Sequence, residues 1–392
     1  MQTGSCSVSL FFLLEWNWNV QMCLQIQRDI QQDGQNGECE MNLEEETRKL
    51  TIRARHANPI IFYDGGSLQR LYKNVISIDY MDFAEGSSDE ITLRLSDQKM
   101  NFFDGFFPET GKDLDVYIEY YYWEQAHSKE SYHCGNFLID DITVQGRPRE
   151  LMIKAVSQPV SEFKDTPRTK TWKETTLKTI ASEFMAVYKM SGELFFHGTD
   201  PQIKEIEQDE EDDATFLNRV CEKYGFSLKI YKFCFVIFQK SFYESRPVVR
   251  TYDGEKEWDS GWEWNRTLSG TYTGAKICYT NPNKEKKKGE KPASDIEVLV
   301  GTEGKILYVN ETVETEAEAI EIAKARINKE NEKVETLSFS VMFDPRLIAS
   351  SNIEVINLTH VEGKYFIKKV HVSMSSNGLK MHVFAYKIVQ RL

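Results

Sequence analysis

Two-residue alternation of apolar and polar side chains constrains this chain more than any other feature. Ile91-Thr92-Leu93-Arg94-Leu95 sets Ile91, Leu93 and Leu95 on one side of an extended chain. Val116, Ile118, Tyr120 and Tyr122 repeat the pattern, as do Leu151, Ile153 and Ala155. Turn-forming clusters separate these runs: Glu85-Gly86-Ser87-Ser88, Pro108-Glu109-Thr110-Gly111 and Gly146-Arg147-Pro148. A half-buried strand with one wet face fits antiparallel pairing, so this region predicts a meandering barrel or sandwich. Aromatic residues at 12% agree with a β-rich chain.

The period then changes. Leu177, Ile180, Ala181, Phe184 and Tyr188 share one helical face. Phe216, Leu217, Val220, Cys221 and Tyr224 form a second, opened by Asp212 and Asp213 and closed by Gly225. A hairpin follows, Phe226 to Ile230 and Phe233 to Phe238, so the middle of the chain reads as a small α+β domain. Strands resume near Arg250 and run through Gly270-Thr271-Tyr272 to Tyr279. Lys284 to Lys291 has no apolar partner and predicts a solvated loop. Thr315 with Glu318 makes a capping box for a helix whose apolar face is Ala319, Ile322, Ala323 and Ile327, with Arg326 outward. The chain ends in strands, the last two flanking the hairpin pair Asn377-Gly378. The order β, α+β, β predicts two related β-domains with an insert between them.

Charge and cysteine usage narrow the class. The chain of 392 residues carries a net charge of −13, which argues against a sequence-independent nucleic-acid binder. Seven dispersed cysteines without a CxxC pair predict neither a disulfide framework nor zinc, and fit reduced thiols in a cytoplasmic setting. The apolar run Ser7 to Leu14 is too short to span a bilayer, and no basic residue precedes it, so it is read as neither signal nor anchor. Residues 1–40 are expected to be a disordered or non-native extension, with natural translation starting at Met41.

Several residues invite chemistry, and each has a plainer reading. The acid run Asp209 to Asp213 lacks the spacing and internal Gly of a calcium loop and reads as a solvated run ahead of a helix, with Gln208 and Glu211 capping or docking it. His127, His133 and Cys134 offer three ligands in one hairpin and no fourth, a poor zinc site. Asp140 and Asp141 would suit glycoside hydrolysis as a pair, but alternation puts neighbours on opposite faces. No GxSxG elbow accompanies Ser157 or Ser161. Trp258, Trp262 and Trp264 fall on one strand face, where core or interface packing is favoured over sugar binding.

Together, five segments resemble the phage late control D family, the baseplate hub proteins of contractile tails. They are Asp89 to Asp97 with Phe106-Phe107-Pro108 and Gly111; Cys134-Gly135-Asn136-Phe137-Leu138-Ile139-Asp140-Asp141-Ile142 with Gly146-Arg147-Pro148 and Ile153 to Ser157; Thr171-Trp172 with Leu177 and Ile180; Gln208, Glu211 and Asp213 leading into Phe216-Leu217, with Gly225 and Leu228; and Asp344-Pro345-Arg346-Leu347, Gly363-Lys364-Tyr365-Phe366-Ile367 and Val370-His371. The match runs from about residue 45 to the end and is similar also to the hub part of type VI secretion spike proteins. It implies a mainly β chain: two tube-type antiparallel β-barrel domains, over 41–165 and 246–392, around a small α+β domain over 166–245. The second barrel domain would carry the Lys-rich loop at 283–295 and a helix near 316–330.

The family positions Asp97, Pro108, Gly135, Phe137, Asp140, Pro148, Trp172, Gln208, Glu211, Asp213, Phe216, Leu217, Gly225, Asp344, Pro345, Gly363, Tyr365 and His371 are implied to be structural, with Gly135, Asp140, Pro148 and Gly363 read as turn punctuators. The resemblance implies a non-enzymatic virion component of a phage, prophage or tailocin, assembled in the bacterial cytoplasm. It implies a homotrimer contacting the central spike, the tail tube or its initiator and other baseplate proteins. Neither cofactor nor metal, sequence-specific nucleic-acid binding nor membrane insertion is expected. A tail-tip cell-wall hydrolase and a glycan-binding tail module stand as alternatives.

Overall fold

A computed structural model of the protein describes residues 55–67, 74–99, 102, 107–123, 128–157, 162–231, 233–258, 260–268, 271–279, 296–313, 315–389 and 391–392. The expected extension over 1–40 and the Lys-rich loop over 283–295 lie outside the described residues.

The first strands are β1 (His56–Tyr63), β2 (Gly66–Ser67), β3 (Val75–Phe83), β4 (Glu90–Ser96), β5 (Asp113–Tyr121), β6 (Lys129–Gln145) and β7 (Glu150–Val156). The middle holds α1 (Glu162–Asp165), β8 (Pro167–Thr176), α2 (Leu177–Val187), β9 (Leu194–His197), β10 (Gln202–Asp212), α3 (Asp213–Lys223), β11 (Phe226–Tyr231), β12 (Cys234–Gln239) and α4 (Lys240–Glu244). The last part holds β13 (Arg250–Asp253), β14 (Ser260–Arg266), β15 (Gly274–Tyr279), β16 (Ile296–Gly301), β17 (Ile306–Val309), α5 (Glu316–Asn331), β18 (Glu335–Met342), β19 (Asn352–Ile356), β20 (Gly363–Ser375) and β21 (Gly378–Lys387).

The protein is mainly β, and both ends of the chain build one 13-stranded sheet. Its order is β14-β18-β21-β20-β3-β4-β7-β6-β5-β1-β2, with β19 also on β20 and β13 on β19. Within it, β3-β4-β7-β6-β5 and β14-β18-β21-β20-β19 follow one rule: first, second, fifth, fourth and third strand of each set. The same topology is therefore written twice. The two sets stand where two tube-type antiparallel β-barrels were expected, and among the described residues neither closes on itself. The path is open, because β3 of the first set hydrogen-bonds to β20 of the second, Lys369 opposite Phe83 through Ser375 opposite Ser77. One apolar row crosses that seam through Val341, Met381, Val372, Tyr80, Ile91, Ala155 and Ile139, all buried. Burying each large side chain of such a row contributes about 1.5–3 kcal/mol.

The repeat extends to backbone detail. Gly135 (φ +141°) and Gly363 (φ +134°) stand in the left-handed half of φ, and each is followed two residues on by a buried aromatic, Phe137 or Tyr365. A Cβ on Gly135 would come within 3.3 Å of the Phe137 ring. Four residues after each glycine, Ile139 faces Ala155 and Ile367 faces Ala385, and the register then slips by one residue, at Asp140 and at Lys368. Gly135 and Asp140 are thus in-strand features and not turn residues. Pro148 does stand in the β6–β7 turn, and Gly363 opens β20.

His56 and residues 118–123 and 128–132 belong to a small unit of their own. In it Tyr120 Oη donates to Glu130 at 2.8 Å, Lys129 pairs with Glu119 at 2.9 Å, and His56 stacks on Tyr121.

The middle elements fold around their own core. β8 and β10 pair antiparallel; β12 pairs antiparallel with β11 and parallel with β9. Trp172 lies stacked on Phe216 at 6.0 Å and edge-on to Phe184 at 5.6 Å, with Leu177, Ile180, Leu217, Val220, Phe235 and Ile237 buried in the same cluster. Thr176 caps α2 by accepting from the Thr179 amide, and Asp212 caps α3 by accepting from the Thr215 amide at 2.8 Å. The strands around Tyr279 do not join the large sheet: β15 pairs with β16 and β17, and α5 covers them with Ala319, Ile322, Ala323 and Ile327 against Ala275, Ile277 and Val298. Thr315 caps α5 by accepting from the Glu318 amide at 3.1 Å.

Trp172→Ala removes the ring that joins β8 to both helices. It is expected to cost about 3–5 kcal/mol, read as a lower denaturant midpoint by circular dichroism.

Candidate functional site

The described residues converge on a junction built around the seam, and its chemistry is buried charge. β11 is an apolar strand interrupted by Lys229. The Lys229 ammonium reaches across to the end of β3 and the start of β4. There it pairs with Asp82 and, at 3.2 Å, with Asp89, and it donates to the Phe83 carbonyl at 2.8 Å. The carboxylates are held from behind. Asp82 accepts from the Ala349 amide at 2.7 Å, and Asp89 accepts from the Phe83 amide at 2.9 Å. One cation therefore ties the middle elements, the first strand set and the chain before β20 together.

Electrostatics sharpen this. Burial pushes the Asp89 carboxyl up to about 7 against the pull of Lys229, and the neighbouring Asp82 carboxylate adds to the rise. Burial would strip Lys229 of its proton, but Asp82 and Asp89 outweigh it and hold the ammonium charged.

A second network lies alongside. Lys240 on α4 pairs with Glu85 and, at 2.5 Å, with Glu332. Arg391 pairs with Glu244 at 2.6 Å and with Glu332 at 2.8 Å, and Tyr386 Oη donates to Glu244 at 2.7 Å. Glu85, Lys240, Glu332 and Arg391 line a polar cleft of about 250 Å³ together with Glu321, Lys324 and Asn328 of α5.

On the opposite face of the sheet a polar row crosses the same seam. His371 Nε2 is 2.9 Å from Asp79 Oδ1, His371 faces His382 across β20–β21, and Ser340 Oγ is 2.8 Å from His382 Nδ1. The contact with His371 holds the Asp79 carboxyl below its usual range, despite partial burial. Burial pushes the His382 imidazole down, and the nearby His371 and Lys369 add to that.

The family positions are spread through the fold, and only His371 lies at the seam. Asp97 is buried after β4 and accepts from the Phe102 amide at 3.0 Å. Asp344 is buried after β18, where Arg346 and Arg250 each bind it. Burial raises its carboxyl, and these guanidinium groups more than reverse that. Pro108 is buried and Pro345 half-buried. Tyr365 donates to the Val361 carbonyl at 2.6 Å. Gln208 Nε2 donates to the Glu211 carbonyl and to Asp213 Oδ1, at 2.8 and 2.7 Å. Asp213 is fully buried, so the acid run is not wholly solvated; Glu211 instead pairs outward with Arg219. Phe216 and Leu217 are core, and Gly225 (φ +75°) lets α3 end against Ala325 of α5, 2.9 Å from where a Cβ would stand.

The alternative chemistries find little support in the geometry. The bulge at Asp140 cancels the alternation argument: Asp140 and Asp141 are both exposed, and Asp141 accepts from Thr143. His133 Nε2 is 2.6 Å from Asp115, and Cys134 is buried with its thiol pushed up by burial. Among the described residues no group of three His, Cys, Asp or Glu side chains could hold a metal ion. Trp258 stacks on Phe339 at 5.1 Å and packs on Trp262, which is 42% exposed. Sequence reasoning missed Lys229, Asp82, Glu85, Lys240, Glu244, Glu332 and Arg391. Lys229 stands at the polar parity of its strand, where a solvated lysine gives the same signal.

No family model and no curated protein matches the chain. Solved structures do. The prophage MuSo2 43 kDa tail protein of Shewanella oneidensis is 13% identical, with a TM-score of 0.65 over 84% of this chain and 98% of its own. A tail protein of Neisseria meningitidis MC58 is 11% identical, with a TM-score of 0.62 over 85% and 97%. An Escherichia coli component of the type VI secretion system, itself similar in structure to T4 bacteriophage tail proteins gp27 and gp5, is 12% identical, with a TM-score of 0.52 over 81% and 74%. The chain has the fold that these proteins share.

Lys229→Ala strands two buried carboxylates and is expected to cost about 3–5 kcal/mol in chemical denaturation. Lys229→Met combined with Asp82→Asn and Asp89→Asn is expected to recover most of that, since the amide oxygens still accept from Ala349 and Phe83. For His382 the folded imidazole binds its proton less readily than the unfolded one. Its stabilising contribution is whole above the ordinary value of 6.5 and drains away as pH falls below it. The denaturation midpoint is expected to drop less between pH 7 and 5 in His382→Gln than in wild type.

Proposed function

We propose that this chain is the structural hub of a phage or phage-like contractile tail baseplate, a trimeric ring that joins the inner tube to the central spike. The observation that carries the reading is the doubled strand order, β3-β4-β7-β6-β5 and β14-β18-β21-β20-β19, joined within one chain at a single seam. Three such chains present six equivalent units, which match a six-fold tube above while the ring stays three-fold for a spike below. The shared fold with prophage tail proteins and a type VI secretion component supports it.

The division that goes with this reading is two tube-type units over 41–165 and 246–392 and an α+β unit over 166–245. The partners are the spike, the tube or its initiator, and neighbouring baseplate proteins, in the virion. The role is adaptor and not enzyme: buried charge in this chain joins modules, and Asp140 and Asp141 are both exposed on β6.

Deleting the coding gene from its parent genome is expected to abolish complete tails in electron micrographs, with rescue in trans. Light scattering of the chain with the spike protein is expected to give three copies of each. Normal tails without the chain would overturn the reading, as would peptidoglycan clearing that Asp140→Asn and Asp141→Asn abolish.

A further inference from the structure

Strand β11 faces two environments. Phe226, Leu228 and Ile230 point into the core of the middle elements, and the alternate residues Ser227, Lys229 and Tyr231 point the other way, towards the seam. The contacts on that side are mostly polar. Ser227 Oγ donates to Glu85, and the Lys229 ammonium sits between Asp82 and Asp89. The Tyr231 ring lies 3.8 Å from where a Cβ on Gly135 would stand, and Ser157 Oγ donates to the Ile230 carbonyl at 3.3 Å. Along β11 the middle elements are therefore fastened to the seam by charge and hydrogen bonds, while their apolar core stays on the far side of the strand.

The charges in that fastening do not match. Two buried carboxylates, Asp82 and Asp89, share one ammonium. Among the described residues the other groups around them bring no second cation. Tyr231 on β11 and Cys134 on β6 are neutral, both held protonated by burial. Glu85, after β3, takes Lys240 from α4 and feels Lys368 of β20, and Lys369 stands over the Phe83 ring. Nor are the two carboxylates equally held. Asp82 spends one oxygen on Lys229 and the other on the Ala349 amide. Asp89 Oδ1 accepts from the Phe83 amide, but Asp89 Oδ2 is buried and accepts no hydrogen bond among the described residues, with the Lys229 nitrogen 3.2 Å away. An excess negative charge in a buried site is costly, and one proton on Asp89 removes it.

We infer that Asp89 is a proton switch for the joint between β11 and the ends of β3 and β4. With the proton bound, Lys229 and Asp82 form a matched pair and β11 sits closed. With the proton released, two carboxylates compete for one ammonium, and β11 loosens until water reaches them. The core of the middle elements need not open, and α3 stays against α5 through Gly225 and the Glu222–Lys329 pair at 2.8 Å. Folded Asp89 holds its proton up to about 7, against an ordinary value of 3.8, because burial outweighs the pull of Lys229. Its contribution to the closed joint is therefore whole at acid pH and is lost as pH rises through neutrality, the opposite of His382. The switch lies within one chain and does not rest on the hub reading.

Hydrogen exchange of the full chain, followed peptide by peptide from about pH 6 to about pH 8.5, tests it. In wild type, exchange in β11 and in residues 82–89 is expected to quicken by more than base catalysis gives the other amides, with the excess centred near neutrality. Asp89→Asn keeps an acceptor for the Phe83 amide and stays neutral at every pH, and is expected to abolish the excess. Asp82→Asn leaves one carboxylate for one ammonium and is expected to abolish it too, whereas a contact that is merely weakened would loosen β11 equally at every pH. Wild-type exchange in β11 that keeps pace with the other amides across the range overturns the inference. So does an excess that survives in Asp89→Asn or, should that variant not fold, in Asp82→Asn.

Discussion

The antiparallel seam between β3 and β20 is the constraint on which the rest depends. It joins strands almost three hundred positions apart, so everything between must fold without pulling them out of register. A slip of one residue would turn Val370, Val372 and Met374 from the core to the wet face and bring Ser373 and His371 inward. Both faces oppose that slip. The buried row through Val372 and Tyr80 fixes one parity, and the Asp79–His371 contact fixes the other.

Lys229 and its carboxylates act on geometry more than on stability. A buried ion pair recovers little beyond its desolvation cost, and apolar side chains of equal volume often do as well. An apolar contact, however, tolerates sliding. A cation shared between Asp82 and Asp89, each also accepting a backbone amide, does not. The middle elements are thereby held at one setting against the seam. The Lys240, Glu85, Glu332, Glu244 and Arg391 network repeats that logic for α4, the end of α5 and the last residues.

Local rules in the sequence reached far. Alternation located β4, β5 and β7; the Thr315 and Asp212 caps started their helices; and Gly378 closes the last hairpin. The doubled topology was legible only as an order of segment types, because the two halves share little beyond a glycine, an aromatic two residues on and an isoleucine four residues on. What stayed hidden was non-local. Strand pairing beyond neighbours depends on which edges meet, and alternation says nothing about that. The strands β15–β17 carry the same signal as those of the large sheet and yet form a separate one under α5. Asp140, expected as a turn residue, is a bulge inside β6.

The two bulges stand at matching places in the two strand sets, neither of which closes on itself among the described residues. In each set the third strand pairs with the first half of the fourth and parts from it at Ile139 or Ile367. Just there the extra residue increases the local twist and bends the fourth strand away. The second half of that strand then meets a different neighbour: β3 takes it in β20, and no described strand does in β6. Closure within a set would need the first strand to reach back to the third, and β3 instead runs along β20 of the other set. Among the described strands the sheet runs open from one set into the other, and each set carries one inserted residue at the same place.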